Sequence, residues 1–238
     1  MAEEQRAPGD LAEQGAITAL PERPIFVLPP KRTFRNHLVF FITKKPLGAF
    51  GAAVAILLMV TAVFAPAIAN HDPYETVVAN IYAAPLTENF FGADRLGRDV
   101  YSRLIYGARI SLYVGILSSF IGCTIGMAVG VASVRFGGVT DLIVQRFIDA
   151  MIAFPTLILA IAIMAALGGS LNNVVIALSI VYIPSTARIM RAQFLAINEM
   201  DYILAGRAIG AGDWRIMWKH MIPNAFALYL VIVTFHLG

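Results

Sequence analysis

Long stretches without a charged residue are the feature that most limits how this chain can fold. Residues 47–69 hold none in 23 positions, and residues 110–134 hold none in 25. As helices, such stretches cross about 30 Å of hydrocarbon, and a helix satisfies its own backbone polar groups in lipid. The pattern therefore predicts an all-α, polytopic membrane protein.

The composition excludes several other classes of protein. Hydrophobic residues make up 58% of the 238 residues and charged residues 14%, so a largely disordered chain is excluded. Cys123 is the lone cysteine, which excludes a disulfide-stapled scaffold. The first apolar block begins 46 residues into the chain, so it is interpreted as a retained helix rather than a signal peptide.

Three further apolar blocks follow the first two. They cover residues 147–168, residues 174–197 and the stretch that starts at Ala225. Pro155 favours a kink in the third block. The last block has only 14 residues up to Gly238, too few to span, so we expect five visible spans, the fifth incomplete, in a C-terminally truncated sequence.

Small and charged residues within these blocks allow specific expectations. Gly122, Gly126 and Gly130 stand four apart on one helical face, which permits close helix packing. The alternative is that glycine is simply frequent in spanning helices. Arg146 and Asp149 share a helical face and are expected to form an interfacial ion pair, with a substrate contact as the alternative. Arg188 and Arg191 are expected to snorkel to the interface.

The basic residues are distributed unevenly along the chain. Of the 18 lysines and arginines, 14 lie in three parts of the chain: the tail before the first span, residues 135–146 and residues 188–224. The positive-inside rule therefore predicts a multi-pass protein with a cytoplasmic N-terminus. We divide the chain into a mobile cytoplasmic tail (1–36), a first helix with an external segment (37–109), and a core (110–238).

Two polar segments interrupt the apolar pattern. Residues 89–109 are predicted to lie outside, and helical spacing from Asp99 onward predicts a short interfacial helix leading into the second span. Residues 198–224 are predicted to form a cytoplasmic helix–turn–helix. Its first helix, capped by Asn198 or Asp201, would end at Gly210, and its second would be capped by Asp213.

Nothing in the sequence predicts catalysis. It has no phosphate-binding G-x4-G-K-[ST] loop and no apparent Ser/His/Asp constellation. The four histidines are scattered, which argues against a metal cluster. We therefore expect no enzymatic activity, no cofactor and no metal.

The two polar segments resemble signatures of a known family. Residues 91–112 read FGADRLGRDVYSRLIYGARISL. They resemble the run G-T-D-x-L-G-R-D…S-R…G-A-R-x-S-L found in permease subunits of ABC importers of the dipeptide/oligopeptide/nickel class. The one departure is Ala93, where Thr is usual. Residues 204–223 resemble the cytoplasmic loop E-A-A-x3-G-x9-I-x-L-P of the same family. Leu204 replaces the acidic residue there, and His220 replaces the isoleucine. The resemblance covers roughly residues 38–238.

The resemblance implies a type I ABC importer permease fold of six spans in the bacterial inner membrane, as the C-type subunit of a heteromeric pair. It implies four partners besides the lipid bilayer and no nucleic acid: a second homologous permease, two cytoplasmic ATPases and an external substrate-binding protein. The residues carried over to the ATPase-coupling loop are Ala205, Gly206, Arg207, Gly210, Asp213 and Pro223. Those carried over to the external signature are Gly92, Asp94, Gly97, Arg98, Asp99, Arg103, Gly107 and Arg109.

The resemblance implies a binding-protein-dependent importer, driven by ATP, for dipeptides or oligopeptides. The solute stays open, since nickel or another small peptide-like solute is an alternative. A non-transport membrane scaffold would also explain the hydropathy, but it would not explain the two signatures.

Overall fold

The computed structural model describes residues 34–77, 80–85 and 89–237. Within these ranges the regular secondary structure is helical, apart from one isolated bridge between Ala93 and Asp99. The all-α prediction is therefore confirmed. The predicted tail, residues 1–36, lies outside the described residues except for its last three.

The chain divides into two compact units, Met1–Ala53 and Val54–Gly238. The described part of the first unit holds α1 (Phe34–Lys44) and the beginning of α2 (Pro46–Val63). The apolar block 47–69 is not one helix, because Phe64 leaves the helical conformation and the short α3 (Ala65–Ile68) follows. Pro66 lies in the first turn of α3, where its missing N–H leaves no helical bond unmade.

The longest helix is α4 (Val100–Phe136), with 37 residues. The predicted interfacial helix and the second span are thus one continuous element, about 56 Å long at 1.5 Å per residue. Asp99 caps it, because its carboxylate accepts a hydrogen bond from the Ser102 backbone N–H at 2.8 Å. A side chain in this position satisfies one of the unpaired N–H groups at the start of the helix.

The glycine stripe of α4 packs against α7 (Leu171–Asn198), its most extensive helical neighbour. A Cβ added at Gly122 would lie 2.6 Å from the Ser179 carbonyl oxygen, and one at Gly126 would lie 2.7 Å from Thr186 Cβ. A Cβ at Gly130 would lie 2.9 Å from the carbonyl oxygen of Ala187. The prediction of close helix packing is therefore confirmed.

The third apolar block is broken rather than merely kinked. α5 (Gly138–Ile152) and α6 (Thr156–Leu167) meet at an angle of 92°. The block is therefore not one continuous helix, and the bent pair is either one broken span or a re-entrant loop. Pro155 causes the break, since it has no N–H and forces the preceding residue out of the helical region.

The last part of the chain corrects the prediction for the fifth block. α8 (Asp201–Ala208) is followed by α9 (Asp213–Ile216), a single π-helical turn (Met217–Met221) and α10 (Ile222–Leu237). Together α9, the π-helical turn and α10 form one continuous apolar helix of 25 residues, which is long enough to span a membrane. Pro223 does not interrupt it, because the wider π turn just before it relieves the clash with the preceding turn.

By length and composition, four described helices can cross a membrane, or five if the bent pair α5 and α6 counts as one span. A hydrophobic core joins α4, α7, α8, α9 and α10. Its fully buried members include Cys123, Met190, Phe194, Ile203 and Ile216.

Candidate functional site

The segment 198–224 forms the predicted helix–turn–helix, but its caps differ from the prediction. α8 begins after Met200 and α9 after Gly212, so Asp201 and Asp213 are each the first residue of their helix rather than its cap. Asn198 is the last residue of α7. Gly210 has φ of +82°, the left-handed conformation in which glycine is favoured after a helix.

Two isoleucines anchor this loop to the spanning helices. Ile203 on α8 and Ile216 on α9 are each 1% exposed and pack in one cluster with Phe194 and Ile197 of α7. Burial of each isoleucine side chain contributes about 2 kcal/mol to the stability of the folded chain. A force applied to α8 therefore acts directly on the end of α7.

The opposite face of the loop is apolar and exposed. Leu204, Ile209 and Trp214 keep 47%, 86% and 61% of their surface accessible, and Ala205 is exposed beside them. A Cβ added at any of the loop glycines would meet nothing within 4 Å; these are Gly206, Gly210 and Gly212. Contiguous exposed apolar surface of this kind is typical of sites where another protein binds.

Arg207 and Asp213 form a polar network inside the chain. The Asp213 carboxylate lies 3.2 Å from Arg135 at the end of α4 and 4.0 Å from Arg207 Nε. Arg207 Nη2 also donates to the side-chain oxygen of Asn198 at 2.6 Å. The four side chains surround a cavity of about 90 Å³ between the loop and the helix ends. Their contact with a partner protein stays a prediction.

The external segment is organised around Asp94. Its Oδ1 accepts backbone N–H bonds from Leu96 at 2.8 Å and Arg98 at 3.0 Å, while its Oδ2 accepts from Arg98 Nε at 2.9 Å and from Arg103. Desolvation alone would raise the pKa of Asp94, but these hydrogen bonds and the Arg98 charge outweigh it and hold the pKa well below its ordinary value.

Two glycines allow this segment to fold so tightly. Gly92 and Gly97 both have positive φ, +74° and +75°. A Cβ at Gly97 would lie 2.0 Å from the Val77 carbonyl oxygen, and one at Gly92 would lie 2.5 Å from that of Ala83. Both the backbone conformation and the available space therefore require glycine at these positions.

Asp99 links this segment to the chain that follows α3. Its side chain is 3% exposed, and its Oδ2 lies 3.9 Å from His71 Nδ1. The Ser102 hydroxyl accepts from the His71 backbone N–H at 3.1 Å. Gly107 and Arg109, the last two residues of the external signature, lie further along α4 and have no contact with the Asp94 cluster among the described contacts.

Two ion pairs between α5 and α7 bear on the expectations for the charges within the apolar blocks. Arg188 pairs with Asp149, and Arg191 forms a two-bond ion pair with Asp141. The predicted Arg146–Asp149 pair is therefore wrong, while snorkelling of the two arginines stays a prediction. Each finds a carboxylate on the antiparallel helix, and residue spacing within a single helix carries no signal for such a pairing.

Comparisons with known proteins agree with this architecture. Residues 122–238 match the family described as binding-protein-dependent transport system inner membrane component. Residues 42–85 match the N-terminal transmembrane domain of oligopeptide transport permease C.

Individual relatives cover most of the chain. It is 35% identical over 227 residues to a glutathione transport system permease protein of Escherichia coli O6:K15:H31, covering 94% of this chain and 74% of the relative. It is 35% identical over 197 residues to a dipeptide transport system permease protein of Alkalihalophilus pseudofirmus, covering 83% and 65%. A Brucella suis protein provisionally named as a peptide transport system permease is 40% identical over 185 residues, covering 78% and 62%.

The chain thus spans less than two thirds of the length of the Brucella and Alkalihalophilus relatives. It spans 74% of the length of the glutathione permease, with 35% of the aligned residues identical. The family that matches residues 122–238 consists of membrane components of transport systems and not of enzymes. With its apolar helices and these matches, the chain belongs to the family of binding-protein-dependent transport system inner membrane components.

Proposed function

We propose that this chain is a permease subunit of an ATP-driven, binding-protein-dependent importer of dipeptides or oligopeptides. It would form half of the translocation path with a second homologous permease. The loop 198–224 would bind a cytoplasmic ATPase subunit of the P-loop class, and the external segment 89–109 would face the substrate-binding protein. The observation that carries the proposal is the loop itself, anchored on one face and apolar and exposed on the other.

Charge placement supports a cytoplasmic position for this loop and for the N-terminus. Three basic residues lie within the loop: Arg207, Arg215 and Lys219. Arg135, in the last turn of α4, contacts the loop through Asp213. Excess basic charge is characteristic of cytoplasmic segments. Trp218, which is 61% exposed, would serve as an interfacial anchor near the start of the last long helix.

The packing of the loop explains how ATP hydrolysis could reach the membrane. Ile203 and Ile216 share one core with the end of α7 and with Tyr229 of α10. Displacement of α8 by a moving ATPase would therefore carry α7 and α10 along as a rigid body. Well-packed helices move as units rather than deform continuously, which suits alternating access.

The relatives support a peptide as the solute. Their names assign them to peptide, dipeptide and glutathione transport systems. All three solutes are peptides or peptide-like, so a short peptide is the shared chemistry. The substrate-binding protein would select among them, because it binds the solute first.

A bulky residue on the loop tests the proposal. Gly210→Trp places a large side chain on the exposed face, and Gly138→Trp is the matched control, since Gly138 also has positive φ and open space around it. We expect the Gly210 variant to lose co-purification of P-loop ATPases and ATP-driven peptide uptake into membrane vesicles, while Gly138→Trp keeps both. Full ATPase binding and uptake by the Gly210 variant would refute the proposal.

A further inference from the structure

The two ion pairs between α5 and α7 differ in their surroundings. The Asp141 and Arg191 side chains are 21% and 28% exposed, and Ser133 of α4 adds a hydrogen bond to Asp141. The side chains of Asp149 and Arg188 are 54% and 47% exposed, and their described polar contact is with each other alone. The first pair is built into the helix packing, whereas the second lies on its outer surface.

The length of α7 gives an estimate of the depth of the second pair. Arg188 is ten residues before the end of α7, a 28-residue helix about 42 Å long. With that helix centred in about 30 Å of hydrocarbon, Arg188 is about 9 Å inside the edge. The carboxylate of Asp149 is on too short a side chain to reach the head groups. Charges at this depth are costly against lipid tails and are found facing water or protein.

A cavity of about 280 Å³ lies at the break between α5 and α6; neither Asp149 nor Arg188 lines it, but its lining begins one helical turn from each of them. Ser185, one turn before Arg188 on α7, lines it, as does Ile152, one turn after Asp149 on α5. Its polar lining residues come from three helices: Thr156, Tyr182, Ser185 and His236.

In the described part of the chain the Ser185 hydroxyl donates to the Tyr182 carbonyl oxygen, whereas three of these polar groups have no side-chain hydrogen-bond partner: the hydroxyls of Thr156 and Tyr182 and the imidazole of His236. The Tyr182 and His236 rings stack at 4.3 Å. Thr156 is exposed and Tyr182 and His236 are half-buried, so these groups are accessible from the cavity, and each would cost several kcal/mol if it faced lipid tails unpaired. Water in the cavity would remove that cost and would also solvate the neighbouring ion pair.

We propose that this cavity and the Asp149–Arg188 pair form the water-filled, solute-facing surface of the chain. The inference rests on the proposed transport function, and it identifies which surface a hydrophilic solute passes. A carboxylate and a guanidinium at one place offer partners for both charged ends of a short zwitterionic peptide. The pair would thus interact with the solute class proposed above without favouring a particular side chain.

Thiol labelling tests whether the cavity is wet. Cys123 is the lone cysteine, so Cys123→Ala gives a cysteine-free parent. If that parent accumulates poorly, the native chain serves as the parent, because Cys123 is fully buried and should not react. Thr156→Cys and Ser185→Cys place thiols in the cavity lining. Leu157→Cys is the matched control, because Leu157 is adjacent to Thr156, 75% exposed and outside the lining.

The reagent is a charged, membrane-impermeant methanethiosulfonate, added to permeabilised vesicles that contain the whole transport system. Because only a hydrated thiolate reacts, we expect both cavity cysteines to react about ten-fold faster than the Leu157→Cys thiol. We also expect modification of Ser185→Cys to block ATP-driven peptide uptake.

Three results have separate meanings. Labelling of the cavity cysteines no faster than that of Leu157→Cys would overturn the inference, and so would fast labelling that leaves uptake unchanged. Absence of uptake in the unlabelled parent system would count against the proposed transport function instead, and labelling rates would still report on whether the cavity is wet.

Discussion

The contact between α4 and α7 gives a sharp prediction about stability. In Gly126→Ala the new methyl group would lie 2.7 Å from Thr186 Cβ, 2.9 Å from the Ile183 carbonyl oxygen and 3.0 Å from Thr186 Cγ2. Carbon atoms in van der Waals contact lie about 3.5–4.0 Å apart, so the helices must separate by about 1 Å. Two of the three neighbours are a backbone atom and a Cβ, which cannot rotate away.

The size of the effect follows from packing energetics. Overpacking of a well-packed interior costs about 1–3 kcal/mol. Replacing glycine by alanine within a helix recovers about 0.5–1 kcal/mol. The net expectation for Gly126→Ala is a loss of about 1–2 kcal/mol, a factor of about 5–30 in the equilibrium between packed and separated helices.

Gly107→Ala is the matched control for this prediction. Gly107 lies in the same helix, and a Cβ there would meet nothing within 4 Å. The assay is thermal unfolding of the purified chain in detergent, followed by the fluorescence of Trp214 and Trp218. We expect Gly126→Ala to melt at a lower temperature than the parent and Gly107→Ala to melt at the same or a higher one. Equal melting of the two variants would refute the packing argument.

Three further predictions address the polar clusters. Asp94→Asn removes the acceptor charge of the external segment, so the Arg98 amide should exchange faster in hydrogen–deuterium exchange; unchanged exchange would contradict the role given to Asp94. Arg191→Gln leaves Asp141 half-buried without its cation and should destabilise the chain by about 1–3 kcal/mol in thermal unfolding. Adding Asp141→Asn should recover part of that loss, and a purely additive double variant would contradict the pairing. Asp213→Ala should speed amide exchange in residues 201–212 without changing exchange in α4, since it detaches the loop from Arg135; unchanged loop exchange would contradict that link.

The positions of the apolar helices could be predicted from the sequence because hydropathy is a local property. Charge-free runs predicted α2 and most of α4, and an apolar run with two arginines near its end predicted α7. The four-residue glycine spacing predicted the face of α4 that packs closely. Gly210 predicted the end of α8 for the same reason, since a positive φ is a local requirement.

The errors arose where the outcome depends on more than local pattern. Pro155 and Pro223 carry the same steric restriction, yet one breaks the chain by 92° and the other sits in a continuous helix beside a π turn. The neighbouring turn and the packing around it decide between these outcomes.

The charged partners could not be predicted from spacing within one helix. Arg146 and Asp149 are correctly placed for a pair along one face, but Arg188 of the neighbouring antiparallel helix binds Asp149 instead. Likewise Arg207 and Asp213 looked free to contact another protein, and the fold brings Arg135 and Asn198 to them. Long-range pairs of this kind are set by tertiary packing.

Photocrosslinking from the loop tests the central claim most directly. A benzoylphenylalanine in place of Ile209, which is 86% exposed on the apolar face of the loop, would lie against the bound ATPase. A benzoylphenylalanine in place of Phe120 of α4, which is 56% exposed, is the control within a membrane-spanning helix. The account predicts an ultraviolet-dependent adduct between the Ile209 position and a P-loop ATPase, and none from Phe120. The absence of that adduct from Ile209, in vesicles that take up peptide on addition of ATP, would contradict it.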